Sequence, residues 1–213
     1  MQQTAKFWDG VAEKYAKSPI RDWDAYTYSL ERTRTYLKAD DRVLEVGCGT
    51  GSTALLLAEF AGRITASDIS AKMIEIAKAK GQEQGIGNVD FVAAEVFDDA
   101  IEGEPYDVVL ALNLLHLLEN VDAAIARING LLKPGGIFIS KTVCLAGGAM
   151  PFKYRALKYL LPIMRLLGKA PSHVSFMRSE ELEEAISSRG FEIIETGNYP
   201  VSPQSRYVVA KKV

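Results

Sequence analysis

Val43-Leu44-Glu45-Val46-Gly47-Cys48-Gly49-Thr50-Gly51 is the stretch whose reading decides the fold. An apolar run holding one acid breaks into three glycines at alternate positions, and a helical pattern follows from Ser52 to Ala61. That change of period marks a buried strand turning sharply into a helix. Backbone N–H groups stay uncovered at such a turn, and glycines let a ligand approach the main chain without a Cβ in the way. Open α/β sheets bind their ligands at this end of the strands.

The choice of ligand narrows by what the loop lacks. Gly51-Ser52-Thr53 has no lysine, so it is not a phosphate-cradling P-loop. Its G-x-G-x-G spacing also differs from the G-x-G-x-x-G of dinucleotide-binding turns. The run Glu45-Val46-Gly47-Cys48-Gly49-Thr50-Gly51 resembles the first motif of class I S-adenosylmethionine-dependent methyltransferases. The resemblance implies that Glu45, Gly47, Cys48, Gly49 and Gly51 surround S-adenosylmethionine.

Other segments extend it in order. Arg63 to Asp68 reads as a second strand ending on an acid, where a carboxylate can accept hydrogen bonds from both hydroxyls of a ribose. The same acid would repel a 2′-phosphate, which argues against NADP. Asp68 is alternatively an N-cap for the helix from Ser70, and the two roles are compatible. In the resembling family this acid holds the ribose, with Ile69 and Met73 packing near the adenine. Strand three is expected over 89–94. The family places an aspartate after it, whereas this chain has Glu95 followed by Val96, with Asp98 as a substitute if the loop bends differently.

Strand four, Tyr106 to Leu112, delivers Asn113-Leu114-Leu115-His116 to the same sheet edge. No prolines follow Asn113, which disfavours the family's amino-methylating enzymes that act on nucleic-acid bases. His116 is the candidate base, being titratable near neutrality, unless it is buried among its leucines. A helix over 121–132 then stops at Lys133-Pro134-Gly135-Gly136 before a fifth strand from Ile137. Ser179 opens a capped helix, and 191–199 and 205–212 read as paired strands. The implied architecture is α/β: a Rossmann-like seven-stranded sheet, mostly parallel with the last strand antiparallel, with helices on both faces, in a single domain over 1–213.

Two segments frame the expected site. Residues 1–38 read as two helices, the second capped by Asp22 or Asp24. Phe7-Trp8-Asp9 with Ala12 and Tyr15 is similar to the family's entry helix, a lid that brings its tyrosine near the methionine end of the cofactor. Trp8 is expected to pack on the sheet, and Tyr15 is a second catalytic candidate, with Tyr154 weaker. Residues 145–177 fit neither strand nor standard helix of the layout and are expected to cap the acceptor site. Within them, 152–169 forms a basic amphipathic pattern that Pro162 should kink or divide. Its apolar side (Leu157, Leu160, Leu161, Ile163, Met164, Leu167) suits a pocket roof, an anionic membrane surface, or plain packing. His173, Arg178 and Tyr199 are further candidates for the pocket wall.

Composition bounds the rest. The 213 residues are 48% apolar with a net charge of −2, yet nine basic residues and no acid lie between Ala123 and Ser179. That polarity can attract an anionic substrate, a lipid surface or RNA. With Cys48 and Cys144 alone, neither a disulfide framework nor a zinc cluster is expected, and no metal is assigned. There is no signal-peptide pattern and no membrane-length apolar run, so a cytoplasmic protein, peripheral to the membrane at most, is expected. The resemblance implies methylation of a hydrophobic or amphipathic small molecule (quinone-like, phenolic or lipid) at O, N or C. RNA methylation and non-catalytic S-adenosylmethionine binding are the alternatives. DNA is not an expected partner, and the sequence leaves the oligomeric state open.

Overall fold

The computed structural model describes residues 2–146, 152–166 and 168–213, with side chains from 3–146, 159–166 and 168–213. Seven strands form one sheet: β1 Arg42–Val46, β2 Arg63–Asp68, β3 Val89–Ala93, β4 Tyr106–Leu112, β5 Leu132–Val143, β6 Phe191–Asn198 and β7 Ser205–Lys212. Their spatial order is β3-β2-β1-β4-β5-β7-β6. β1 to β5 pair in parallel, and β7 inserts antiparallel between β5 and β6. The expected mostly parallel sheet with an antiparallel last strand is what forms.

Alternation along β1 explains the two layers. Val43 packs with Leu55, Leu57 and Ile74 of α3 (Ser52–Leu57) and α4 (Ala71–Glu83) on one face. Leu44 and Val46 pack with Ile125, Ile128, Leu182 and Ile186 of α5 (Val121–Leu131) and α7 (Ser179–Ser187) on the other. Both faces are covered, so the strands read as near-continuous apolar runs. Each large side chain fully buried there contributes about 1.5–3 kcal/mol.

Of the two N-terminal helices, α1 (Gln2–Ala16) docks on α4, while α2 (Trp23–Arg34) is tied to β5, β6 and β7 through its polar side chains. Asp22 is the cap of α2, accepting the Ala25 N–H at 2.9 Å. The buried Lys141 of β5 donates to Ser29 Oγ at 2.9 Å, and Arg32 and Tyr36 both reach Glu195 of β6.

Three expectations on element bounds change. The helix after the glycine turn is α-helical only to Leu57 and finishes as one 3₁₀ turn, Ala58–Phe60. β5 starts at Leu132 because that residue pairs with Tyr106, and a register shift absorbs Pro134-Gly135-Gly136. α6 (Phe152–Leu166) runs through Pro162 as one helix.

Gly51 carries a packing constraint that the motif alone does not reveal. Its φ is +73°, and a Cβ there would lie 2.6 Å from the Phe91 ring and 2.8 Å from Ala77 Cβ. Helix and sheet meet at that point with no room to spare. Gly51→Ala is therefore expected to destabilise the fold by about 2–4 kcal/mol, measured as a lower urea midpoint.

Candidate active site

The turn after β1 is shaped by its glycines and tied down by its neighbours. Gly47 and Gly49 have φ of +71° and +54°. A Cβ on Gly47 would strike Leu114 Cδ1 at 2.8 Å, whereas one on Gly49 would meet Tyr15 at an ordinary 3.6 Å, so Gly49 is required for its backbone alone. The Cys48 N–H donates to Ser67 O at 2.8 Å, and the Gly49 N–H donates to Asp68 Oδ2 at 2.9 Å. Asp68 Oδ1 accepts the Ser70 N–H, also at 2.9 Å. Ser70, not Asp68, is the N-cap of α4, taking the Met73 N–H at 3.1 Å. Its hydroxyl donates to Asp9 Oδ1 at 2.6 Å, which fastens α1 to the same corner. Behind the turn, Lys80 Nζ donates to Thr50 Oγ1 and Ser52 Oγ.

Beside this turn opens a cavity of about 370 Å³. Tyr15, Gly47, Gly49, Asp68, Ile69, Met73, Glu95, Val96 and Asn113 all line it. Glu45, Cys48 and Gly51 are not in the lining; they are buried behind the turn because their side chains, or the space a side chain would take, face the sheet and its helices. Asn113 has φ +60°, and its N–H donates to Lys141 O at 2.6 Å, a conformation that costs about 1 kcal/mol or more in a non-glycine residue. Asp98 is not a substitute for Glu95: it caps the 3₁₀ turn Asp99–Ile101 and stays out of the lining.

Sequence reasoning missed much of the apolar wall. Trp8 lines the cavity, contrary to the expectation that it packs on the sheet. Thr4, Trp8 and Tyr15 recur at offsets of four and eleven and so share one face of α1, a periodicity legible in the sequence. Phe97, Leu114, Leu117 and Leu118 add to the wall, with Glu119 and Asn120 also in the lining. Thr4 Oγ1 meets Ser172 Oγ at 2.7 Å, a bridge from α1 to the 145–177 insert.

That insert reaches the cavity at one described position. Among the described residues it contributes Ser172 to the lining, and α6 contributes none. Leu161 is buried and Met164 half-buried, but Leu160 and Ile163 face solvent. The side chains of Tyr154 and Leu157, and residue 167, lie outside the described residues. His173, Arg178 and Tyr199 do not line the cavity either; Arg178 pairs with Glu181 at the start of α7, and Tyr199 stacks on Tyr28 of α2.

Burial and like charge set the electrostatics. Glu45 is 2% exposed, and burial, followed by the neighbouring Asp68, pushes its carboxyl up to about 8. Burial also raises Asp68, with Asp9 adding to the shift. Tyr15 lies among the cavity walls; desolvation there, then Asp68 and Glu45, raise its phenol, which keeps its proton at neutral pH. The candidate base His116 is displaced from the cavity lining. Its backbone carbonyl accepts the Ser175 N–H at 2.6 Å, its Nδ1 is buried without a partner, and burial pulls its pKa down to about 4. Burial therefore favours the neutral imidazole, and the ring does not line the cavity.

Residues 21–196 match a family model described as "Methyltransferase domain". A ubiquinone biosynthesis O-methyltransferase of Bordetella bronchiseptica is 30% identical over 195 residues, covering 88% of this chain and 76% of that protein. The chain spans about three fifths of the length of other curated relatives of the same name. Among solved structures, magnesium protoporphyrin IX methyltransferase from Synechocystis PCC 6803, with bound SAH, superposes with a TM-score of 0.72 at 19% identity over 98% of both chains. The cyclase SpnF superposes with a TM-score of 0.71 at 22% identity, over 92% of this chain and 85% of its own. Those two likenesses establish the fold alone.

The depressed histidine has a measurable consequence. Between pH 6.5 and about 4 the unfolded chain binds a proton that folded His116 refuses, so stability attributable to this group is lost as pH falls through that window. Nitrogen-resolved NMR is expected to show the His116 ring neutral and non-titrating from pH 8 to 5.

Proposed function

We propose, from the premise that this chain belongs to the S-adenosylmethionine-dependent methyltransferase family, that it transfers a methyl group to a hydrophobic small molecule, with quinone-like phenols as the acceptor class. The observation that carries this reading is one cavity with two kinds of wall. The glycine turn, Asp68, Ile69, Met73, Glu95 and Val96 stand at the ends of β1 to β3, and the apolar Leu114, Leu117 and Leu118 stand beyond β4. The name of the Bordetella relative supports O-methylation and a quinone-like acceptor.

The residues present fit the donor. Each Asp68 oxygen accepts one backbone N–H, which leaves lone pairs for the hydroxyls of a ribose. Gly47 and Gly49 would offer main chain without Cβ atoms to the amino-acid end, Ile69 and Met73 would pack near the adenine, and Glu95 with Val96 would meet its edge. Asn113 and Tyr15 line the same cavity and would stand toward the methyl. When bound, S-adenosylmethionine supplies a methyl already activated by a positively charged sulfur. Trp8, Phe97 and the leucines exclude water and hold the acceptor in line, and positioning of this kind contributes roughly 7–11 kcal/mol. Tyr15, which retains its proton, is suited to donate a hydrogen bond and not to remove a proton, and His116 does not line the cavity. A phenol acidic enough to ionise on its own needs no further base.

The reading extends to where the acceptor comes from. α6 exposes Tyr159, Leu160, Ile163 and Leu166, within the segment that has no acid. Such a face suits an anionic lipid surface holding a hydrophobic acceptor. Among the described residues no helix is long and apolar enough to cross a membrane.

Incubation with S-adenosylmethionine and a panel of hydroxylated quinols is expected to give S-adenosylhomocysteine and a +CH₂ product by mass spectrometry. Donor binding without product from any phenol in the panel would overturn the acceptor class. Asp68→Ala should weaken donor binding about tenfold or more by calorimetry, the value of a lost charge-assisted hydrogen bond. Sedimentation with phosphatidylglycerol vesicles, reduced by Leu166→Glu, tests the lipid contact.

A further inference from the structure

Among the described residues Glu45 is the most buried carboxyl beside the cavity, and it has no counter-ion there. It is 2% exposed, and its Oε2 is buried without a hydrogen-bond partner. Asp68 of β2 and the Ala54 N–H of α3 act on it, and its own charge is felt by Tyr15 of α1, Tyr26 of α2 and Cys48 of the turn. On β4 its register partner is the apolar Leu110. None of these groups is a cation. Glu45, Asp68, Tyr15, Tyr26 and Cys48 are all shifted toward keeping their protons, with burial the first cause in each.

An unpaired buried carboxylate is costly, so such a group holds a proton until a positive charge arrives. Two of the five groups, Asp68 and Tyr15, line the cavity itself, so charge entering there is felt by Glu45 behind the turn. We propose that Glu45 is a proton-coupled positioning residue, which yields its proton when a cationic donor seats at the Gly47–Gly49 turn and so favours that donor over its net-neutral spent thioether. This rests on the donor assignment above. Methyl transfer removes one positive charge from the cofactor, after which Glu45 retakes a proton from solvent and the attraction that held the ligand weakens. The proton lost by the acceptor goes to solvent separately, so charge balances over a turnover.

Calorimetry with S-adenosylmethionine and S-adenosylhomocysteine from pH 6 to 9, in buffers of different ionisation heat, tests this. In the wild type the ratio of donor to thioether affinity should rise with pH, by at most about tenfold per pH unit below pH 8, with up to about one proton released per donor bound at pH 7. Glu45→Gln, which has the shape of the protonated acid, should bind both ligands with a flat ratio and no linked release. A flat wild-type ratio without proton release overturns the proposal, as does an unchanged slope in Glu45→Gln. Should that variant fail to fold, the wild-type proton count decides alone. Failure of both ligands to bind at every pH is a separate outcome, one that defeats the donor assignment itself.

Discussion

Asp68 holds the first turn of the sheet to the second strand: its two carboxylate oxygens accept the N–H groups of Gly49 and Ser70, each at 2.9 Å. These are charge-assisted bonds to backbone in a partly dry site, roughly twice as strong as neutral ones. Through Ser70 the same carboxylate is linked to the start of α4, and through Asp9 to α1. Floor, side and cover of the cavity are therefore one hydrogen-bonded assembly centred on a single side chain. The arrangement brings the turn to a ligand already shaped, so little conformational entropy has to be lost on binding.

What the sequence made legible was whatever backbone periodicity dictates. The strand ends place Gly47, Gly49, Asp68, Glu95, Val96 and Asn113 on one sheet edge once the parallel order is known, and all of them line the cavity. Residues set by side-chain direction were harder. Glu45 and Cys48 belong to the same motif, yet strand alternation and the tight turn send them inward. His116 is three residues past Asn113, within the 3₁₀ turn Leu115–Leu117, and does not line the cavity. Trp8 and Thr4 were within reach of a helical-face argument. Ser172 was not, since it sits in irregular chain whose path no local pattern specifies.

The fold constrains function less than the site does. A methyltransferase and a cyclase superpose on this chain about equally well. What narrows the chemistry here is the character of the walls: acidic and glycine-rich toward β1 and β2, leucine-rich beyond β4. The first suits a cation carrying a ribose, and the second suits a flat apolar ring. A buried acid behind the glycine turn, with one oxygen lacking a partner among the described residues, is the kind of locally costly choice expected where binding, not stability, shapes the residue.

The antiparallel β7 has a consequence for how the molecule is made. Tyr207, Val208, Val209 and Ala210 are fully buried between β5 and β6. While the nascent chain leaves the ribosome, β5 therefore presents an open edge, and β6 has no place to pair until residues 205–212 emerge. Throughout that interval the half-built sheet offers unpaired backbone to other chains, the usual route to aggregation. The interval between synthesis of β5 and of β7 thus sets how long this vulnerable species persists.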